Sequence, residues 1–538
     1  MRSLVCFPAF TFSVTSCKPS TQDLPPLPPT SERPEYRVLY KTRTIDMLND
    51  DILLGIFNYY RLANEDTWNV RLGWCKLSHV CQRWRYLIFE SAFHLGMHIT
   101  CTNGTPIVDT LDHLPPLPLF VNYQDKEVPR REAPMLSRED ELGMYHALQL
   151  RDRVRRIDLR LLPSTLNKSL LRMDKPFPVL EHLSLSFIND VMTYLTLPSA
   201  FLAPNMRHMA LLGIRLPKRL QFLSSTLSLV TLKLTEIQAS GYFHPRLLVA
   251  RLEFLPQLEE LSIGFSIPIP RPSTERLLLG KQGNPVTLFN LKSLSFRGVS
   301  AYLEHLISQI RAPVLKELNI TLFNQLAFTL THLSHFVNIT ENIKFPRTAT
   351  IDFLPGASII LSHRGMRSLS ADSDQGFTMH VLCKSSNWQI DCTAQICSAL
   401  MSALSGIENL TLVNRPSNSS PIESDLETDE INHADEIEGT TWHELLRSFV
   451  RVKELRIDHD FFSELSRALE VGEIGLDPGL LPDLQKVVSN YHGLHADSLL
   501  GPFIHARQAA GSPVSLHLRG SRVEVTGMYS HTDSMIPR

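Results

Sequence analysis

A recurring pattern of apolar residues constrains the fold of this 538-residue chain more than any other feature. From residue 150 onward, apolar residues recur in the order Φ-x-x-Φ-x-Φ, where Φ is apolar and x is any residue. The last two Φ residues are two positions apart, which is the period of a strand with one buried face. The first Φ residues of the early copies, which follow one another at intervals of 23 to 29 residues, are Val154, Leu180, Met206, Leu229 and Leu258.

Prolines and helical stripes complete the repeating unit. In several copies a proline stands two residues before the first Φ, as Pro204 does before Met206. Proline ends a helix and permits an extended segment to begin. An apolar stripe with helical spacing, formed by Leu303, Leu306 and Ile307, precedes one of these prolines. Each unit is therefore predicted to be a helix, a stop and a short strand.

Such a unit cannot bury its own apolar face, so neighbouring units must stack and align their strands as a parallel sheet. The spacing is that of leucine-rich repeats, which predicts an irregular α/β solenoid over residues 150–538 with about ten to twelve repeats. Residues 340–400 do not fit a regular phase. Residues 417–439 are acidic and poor in large apolar residues, so they are predicted to form a solvated loop. Later copies of the first Φ are Leu291, Leu315, Ile407 and Val452.

The segment before the repeats has a different character. Residues 1–43 are proline-rich and are predicted to form a disordered leader. Two amphipathic helices follow, and Asn49 is predicted to cap the first of them. The second is predicted to run from Trp74 to Phe89 as a single helix. Residues 93–149 are predicted to be a linker or a cap on the first repeat.

The composition excludes several classes of function. A net charge of −2 and a pI near 6.9 do not suit binding to nucleic acid or to an anionic membrane. No apolar run reaches the roughly 18 residues that span a bilayer, so cytoplasm and/or nucleus is the expected location. None of the 8 cysteines stands in a CxxC pair, which predicts free thiols and no metal or cofactor. Phosphate-loop, zinc-protease and nucleophile-elbow motifs do not occur, so no enzymatic activity is predicted.

A family resemblance rests on residues 44–92. The strings TIDMLNDDILLGIFNYY and WCKLSHVCQRWRYLIFESAFHL combine an acidic-capped helix with the element L-x-x-V-C-x-x-W-R. They resemble an F-box, and the chain as a whole is similar to the expanded F-box family of mushroom-forming fungi (basidiomycetes). Family members usually carry Leu-Pro where this chain has Leu48-Asn49. Because Asn is a good N-cap, the helix is still expected to begin there.

The resemblance implies a fold and a function. The fold is an N-terminal all-α F-box followed by a leucine-rich-repeat-like α/β solenoid, an α+β or α/β chain overall. The function is that of a substrate-recognition subunit of a cullin-type (SCF) ubiquitin ligase. The alternative is a repeat scaffold that is not coupled to ubiquitination. The residues predicted to contact the Skp-family adaptor, some of which must instead form the module's own core, are Leu48, Ile52, Leu53, Ile56, Leu77, Val80 and Trp84.

The repeats are predicted to bind an unidentified protein target. Side chains alternate along a strand, so the x residues beside the last Φ face the concave side of the solenoid. Most of these x residues are small or carry a hydroxyl, and charge is concentrated in the later repeats. The residues predicted to contact the target are Arg297, Arg456 and Asp458.

Overall fold

The computed structural model describes most of the chain between residues 45 and 518. The chain divides into two compact units, formed by Met1–Asn122 with Leu136–Arg153 and by Tyr123–Met135 with Val154–Arg538. The predicted leader and almost all of the predicted acidic loop lie outside the described residues. The described ranges are 45–64, 73–108, 111, 114–125, 136–188, 195–217, 220–267, 285–325, 327–343, 346–354, 356–362, 376–383, 386–414, 439–458, 461, 465, 480–489, 496–509 and 511–518.

The first unit contains a helical module and the parallel strands that begin the long sheet. Its strands β1 and β2 pair in parallel, with Ile99 opposite Leu119. Residues 93–149, predicted to be a linker or cap, therefore contain regular structure of their own, most of it in this unit. The elements are a 3-10 turn at Ile45–Met47, α1 (Asp50–Ala63), α2 (Trp74–Ser78), α3 (Gln82–Glu90), β1 (Ile99–Thr102), β2 (Leu119–Gln124) and α4 (Arg138–Gln149).

The prediction of one helix from Trp74 to Phe89 is wrong, because the segment forms two helices. Cys81 has an extended backbone, with φ of −157° and ψ of 170°, and this breaks the helical path. Its Sγ accepts a hydrogen bond from the Trp84 backbone N–H at 3.5 Å, so Cys81 acts as the N-cap of α3. Trp74 of α2 and the residues Trp84, Leu87 and Ile88 of α3 are buried, whereas Val80, beside the break, is exposed.

The second unit is dominated by a long sheet. In spatial order its strands are β3-β4-β6-β8-β9-β11-β13-β16-β15-β14-β17-β18-β19-β20, and the short pairs β5-β7 and β10-β12 form separate sheets. The bounds are β3 (Val154–Leu161), β4 (His182–Phe187), β5 (Leu195–Thr196), β6 (His208–Leu212), β7 (Ile214–Arg215), β8 (Thr231–Ile237), β9 (Glu260–Phe265), β10 (Val286–Thr287), β11 (Ser293–Gly298), β12 (Ile310–Arg311), β13 (Glu317–Phe323), β14 (Thr348–Leu354), β15 (Gly356–Ser362), β16 (Gly376–Leu382), β17 (Asn409–Asn414), β18 (Glu454–Ile457), β19 (Lys486–Ser489) and β20 (Ser515–Leu518).

Helices and short turns connect many of these strands. The predicted acidic loop ends one residue earlier than expected, because Gly439 belongs to α11. There are 3-10 turns at Gln221–Ser225 and Ala239–Gly241, and the helices are α5 (Pro163–Leu171), α6 (Pro245–Leu252), α7 (Ser300–Ile307), α8 (Thr331–Ile339), α9 (Ser386–Ala399), α10 (Met401–Leu404), α11 (Gly439–Arg447) and α12 (Ala496–Ala509).

The predicted repeat phase is confirmed. Each Φ residue assigned from the sequence is buried, and the last two Φ residues of neighbouring copies lie opposite each other. Leu183 and Leu185 of β4, for example, pair with Ile157 and Leu159 of β3. Stacked rows of this kind give the unit one continuous apolar layer. The second unit is thus an α/β solenoid with a leucine-rich-repeat-like register.

Residues 340–400 depart from one strand per unit. The strand β15 runs antiparallel to both of its neighbours, β14 and β16. On the outer sides of this group, β16 pairs in parallel with β13, and β14 pairs in parallel with β17. Buried side chains lie on both faces of the hairpin, since Ile351 and Ile359 are buried, as are Asp352 and Ser358. Three strands stand here where one unit of the repeat would add one, so the spacing between units is lost, and this explains why the region could not be phased from the sequence.

Asparagine side chains link successive units of the solenoid. The side-chain amide of Asn205 donates to the Pro178 carbonyl at 2.7 Å, and that of Asn290 donates to the Pro256 carbonyl at 2.9 Å. Asn342 makes a third contact of this kind. Each asparagine directly precedes a buried apolar residue and satisfies a carbonyl of the preceding unit. This asparagine ladder was not predicted from the sequence.

Candidate interaction surfaces

The helical module has a small aromatic core. Leu53 and Phe57 of α1 are fully buried, and the Phe57 ring packs edge-on against the Trp84 ring of α3 at 4.8 Å between centroids. Only 8% of Trp84 is exposed. Leu53 and Trp84, two of the seven predicted adaptor contacts, are buried here and are therefore among those that form the module's own core. They belong to the core because they lie on the face of each helix that meets the other.

An apolar stripe on α1 faces away from this core. Ile52, Ile56 and Tyr59 are 51%, 42% and 76% exposed, and their spacing of i, i+4 and i+7 places them on one side of the helix. Val80, which follows α2, is 56% exposed. We call these four residues the helical docking surface. Tyr59 was not singled out from the sequence, although its spacing from Ile52 was the available signal.

Leu48 and Leu77, the two remaining predicted adaptor contacts, are half-buried. Leu48 precedes α1 and Leu77 lies in α2, so both keep part of their surface accessible. Of the seven residues predicted from the sequence, five therefore remain able to touch a partner.

Polar contacts fix the beginning of α1. Asn49 Oδ1 accepts the Ile52 backbone N–H at 2.8 Å, which confirms the predicted N-cap. The Arg83 guanidinium donates to Asp50 Oδ1 at 2.6 Å and to the Leu48 carbonyl at 2.5 Å. Arg83 belongs to α3, so these bonds hold the two helices in register. The side chains are partly exposed, so the bonds contribute orientation more than stability.

The solenoid presents polar side chains on the strand face opposite its Φ residues. One cross-strand row runs through Ser262, Ser295, Asn319 and Thr378 on four neighbouring strands. Small side chains of this kind leave the backbone of the sheet accessible. A salt bridge of 2.7 Å between Lys233 and Glu260 lies diagonally on the same face.

Arg297, a predicted target contact, is held by the protein itself. Its Nη1 lies 2.6 Å from Glu236 Oε1, and both side chains are 40% exposed. The guanidinium carbon also lies 5.8 Å from the centroid of the Phe323 ring, within cation–π range. Glu236 was not identified from the sequence. It has a positive φ of 53° at an irregularity in the register of β8, and this conformation directs its side chain toward Arg297.

The other two predicted target contacts lie farther along the sheet. Arg456 of β18 bonds Glu454 at 2.7 Å, and Asp458 Oδ2 accepts the Asn414 backbone N–H at 3.1 Å. Burial tends to raise the pKa of Glu454, but the hydrogen bond from Arg456 and the charges of Arg456 and Lys486 outweigh it and lower that pKa. Arg456 lies six strand steps from Arg297, or about 29 Å at ~4.8 Å per step. A folded target could span this distance.

The described residues provide no evidence for a metal centre or a membrane span. In the part of the chain that the structure covers, no group of three or more His, Cys, Asp and Glu side chains could hold a metal ion. Among the same residues, no helix has the length and apolar character needed to cross a bilayer.

Comparisons with known proteins add little evidence for the fold. The chain matches no protein-family model and no curated protein. Among solved structures it is similar to TLR13 in a complex with ssRNA13, at 12% identity and a TM-score of 0.28, over 78% of this chain and 49% of TLR13. It thus spans about half the TLR13 chain. It is also similar to the leucine-rich-repeat-containing protein LegL7 from Legionella pneumophila, at 12% identity and a TM-score of 0.24, over 76% of this chain and 97% of that one. Strand order and register remain the basis for the fold.

Proposed function

We propose that this chain is the substrate-recognition subunit of a cullin-type ubiquitin ligase. The helical module docks the Skp-family adaptor and the solenoid binds the target protein. The observation that carries this proposal is the helical docking surface, with Ile52, Ile56, Tyr59 and Val80 exposed on a module that already has its own core. Exposed apolar residues grouped on one side of a helix mark a protein-binding site. Because residues 44–92 resemble an F-box, the proposed partner of this surface is a Skp-family adaptor.

The proposed role involves no catalytic step by this chain. Binding the adaptor through one unit and the target through the other raises the effective concentration of the target near the ubiquitin-loaded enzyme. A solenoid suits the second task because stacked strands provide an extended binding face. The coarser function is an interaction scaffold, which the solenoid supports without the ligase.

The test is adaptor binding by the full chain, measured by titration calorimetry or affinity capture with a Skp-family adaptor. Ile56→Asp is expected to abolish binding, because it places an unpaired carboxylate in an apolar interface. The matched control is Leu171→Asp, which changes a residue that is 68% exposed at the end of α5 in the other unit. This control should bind like the parent. Circular dichroism of both variants separates lost contact from lost fold.

Adaptor binding and the lifetime of the target together separate the ligase receptor from the uncoupled scaffold. Under the scaffold function, neither the parent nor any variant binds the adaptor, and deletion of residues 44–92 leaves the half-life of the target unchanged. Adaptor binding that persists in folded Ile56→Asp would contradict the assigned surface. Under the receptor function, deletion of residues 44–92 should still permit target capture and should lengthen the lifetime of the target in cells.

A further inference from the structure

Two thiols meet where the solenoid departs from its parallel order. Cys383 directly follows β16, and Cys392 lies in α9. Their Sγ atoms are 3.4 Å apart, although the sequence had suggested no pairing between these cysteines. Both are nearly inaccessible, with 1% and 3% of their surfaces exposed. The Gln389 side-chain amide donates to the Cys383 carbonyl at 3.2 Å and fixes the connection between the strand and the helix.

The two thiols are not equivalent. The Sγ atoms of Cys383 and Cys392 lie within hydrogen-bond distance, and this contact lowers the pKa of Cys383 against the opposing effect of burial. The same hydrogen bond, together with burial, raises the pKa of Cys392. Cys392 Sγ also lies 3.6 Å from the Asn324 side-chain oxygen. The lower pKa belongs to Cys383 and the higher to Cys392, which suits them to act as the attacking and the resolving thiol, respectively.

We propose that Cys383 and Cys392 form a thiol–disulfide exchange site that takes low-molecular-weight disulfides of the glutathione class as oxidant. The Cys383 thiolate attacks one sulfur of the small disulfide, forms a mixed disulfide and releases one small thiolate. The Cys392 thiol then loses its proton and attacks Cys383 Sγ, which releases the second small thiolate. Two protein thiols are oxidised to one disulfide, and one small disulfide is reduced to two thiols.

The product would restrain a specific part of the sheet. A bond between Cys383 and Cys392 ties the end of β16 to α9, and β16 pairs with both β13 and β15. The disulfide thus secures the strand on which the antiparallel hairpin rests. Because both thiols are buried, exchange requires local opening and should be slow compared with that of an exposed thiol. This inference does not depend on the adaptor or on the target.

The experiment equilibrates the folded full chain with reduced and oxidised glutathione at several ratios. Exchange is then stopped with acid, the chain is unfolded in denaturant, the remaining thiols are alkylated, and the peptides are mapped by mass spectrometry. The expected result is a peptide pair linked through Cys383 and Cys392 under oxidising ratios, with Cys101 and Cys397 alkylated. Both of these control thiols are buried and have a pKa raised by burial, that of Cys101 to about 12. The oxidised parent should melt a few degrees above the reduced parent.

Two variants make the result decisive. Cys383→Ser should lose the linked peptide and the redox-dependent shift in melting, while Cys397→Ser should keep both. Circular dichroism under reducing conditions establishes that the variants are folded. The proposal is overturned if Cys383 and Cys392 are both alkylated under the most oxidising ratio at equilibrium. It is equally overturned if either of them is linked to a different cysteine.

Discussion

The Arg297 guanidinium reaches the Glu236 carboxylate across an intervening strand, at 2.6 Å. Gly264 makes this possible, because it lies opposite Arg297 in the sheet and has no side chain to occupy the path. A Cβ placed on Gly264 would lie 3.6 Å from Arg297 Cβ, in ordinary contact. A larger side chain would fill the space that the guanidinium crosses. The pair thus depends on three neighbouring strands.

A double-mutant cycle of Glu236→Gln and Arg297→Gln should give a coupling free energy below about 1 kcal/mol, because both partners are 40% exposed and solvent screens them. Chemical denaturation of the four proteins measures it. A coupling several times larger would show that the pair is shielded from water.

Arg297→Glu should also weaken target capture, whereas Lys168→Glu on α5 should leave it unchanged.

Substitutions at Leu53 and at Ile56, both in α1, should have different effects. The first should lower stability and the second should lower adaptor binding. Leu53→Ala removes a fully buried side chain and should cost about 2–5 kcal/mol in the stability of the module. Ile56→Ala changes a residue that is 42% exposed and should lower the stability of the module by under about 1 kcal/mol. It should nevertheless weaken binding to the adaptor. Thermal melts and adaptor titrations distinguish the two. Equal losses of stability would mean that Ile56 is part of the core.

The asparagine ladder should contribute measurably to the solenoid. Asn290→Asp keeps the size of the side chain but removes the amide donor to the Pro256 carbonyl, and it should destabilise the repeats by roughly 0.5–1.5 kcal/mol. Asn290→Gln lengthens the side chain and should restore only part of the loss. Denaturant unfolding is the measurement. An unchanged midpoint for Asn290→Asp would show that water replaces the bond at no cost.

His305 should make the solenoid sensitive to acid. Burial, together with the charges of His244, Arg246 and His332, lowers the pKa of His305 to about 4. The Gln309 amide nitrogen lies 2.7 Å from His305 Nε2, a contact that favours the neutral ring when Nε2 is the acceptor. As the pH falls below about 6.5, the unfolded chain takes up the proton first.

Stability linked to His305 is therefore complete above about pH 6.5 and is lost as the pH falls toward 4. His305→Gln should show a smaller drop in melting midpoint over this range than the parent. Other histidines titrate in both proteins, so the difference between the two curves is the relevant quantity. Curves that run parallel from pH 7 to pH 4 would contradict the prediction.

Most of the solenoid could be predicted because its physical cause is periodic. A buried row such as Leu183, Met209 and Leu232 needs an apolar residue at the same place in each unit, and this requirement is visible in the sequence. The hairpin of β14 and β15 could not be predicted, because it adds strands outside the one-strand-per-unit spacing and nothing local in the sequence fixes their antiparallel order. Contacts between distant residues, such as Cys383 with Cys392, depend on how a helix returns to the sheet.

The helical surface was predictable only in part. The apolar residues of α1 appear together in the sequence, but which of them face α3 is decided by tertiary packing. Phe57 packs against Trp84 and Leu53 is fully buried, and this orientation of α1 leaves Ile52 and Ile56 facing outward. The break at Cys81 was hidden because Cys and the residues around it are compatible with a helix.

The antiparallel hairpin also limits where in the solenoid a repeat unit could be gained or lost. On either side of it, each new unit adds one strand beside the previous one, so a unit could be gained or lost without disturbing the rest. Within it, the sheet passes from β13 to β17 through β16, β15 and β14, so the strand that comes first in the chain lies farthest from β13. Duplication of a unit is therefore compatible with residues 154–323 or 409–518, but a copy inserted between 348 and 382 would leave the two halves of the sheet unjoined.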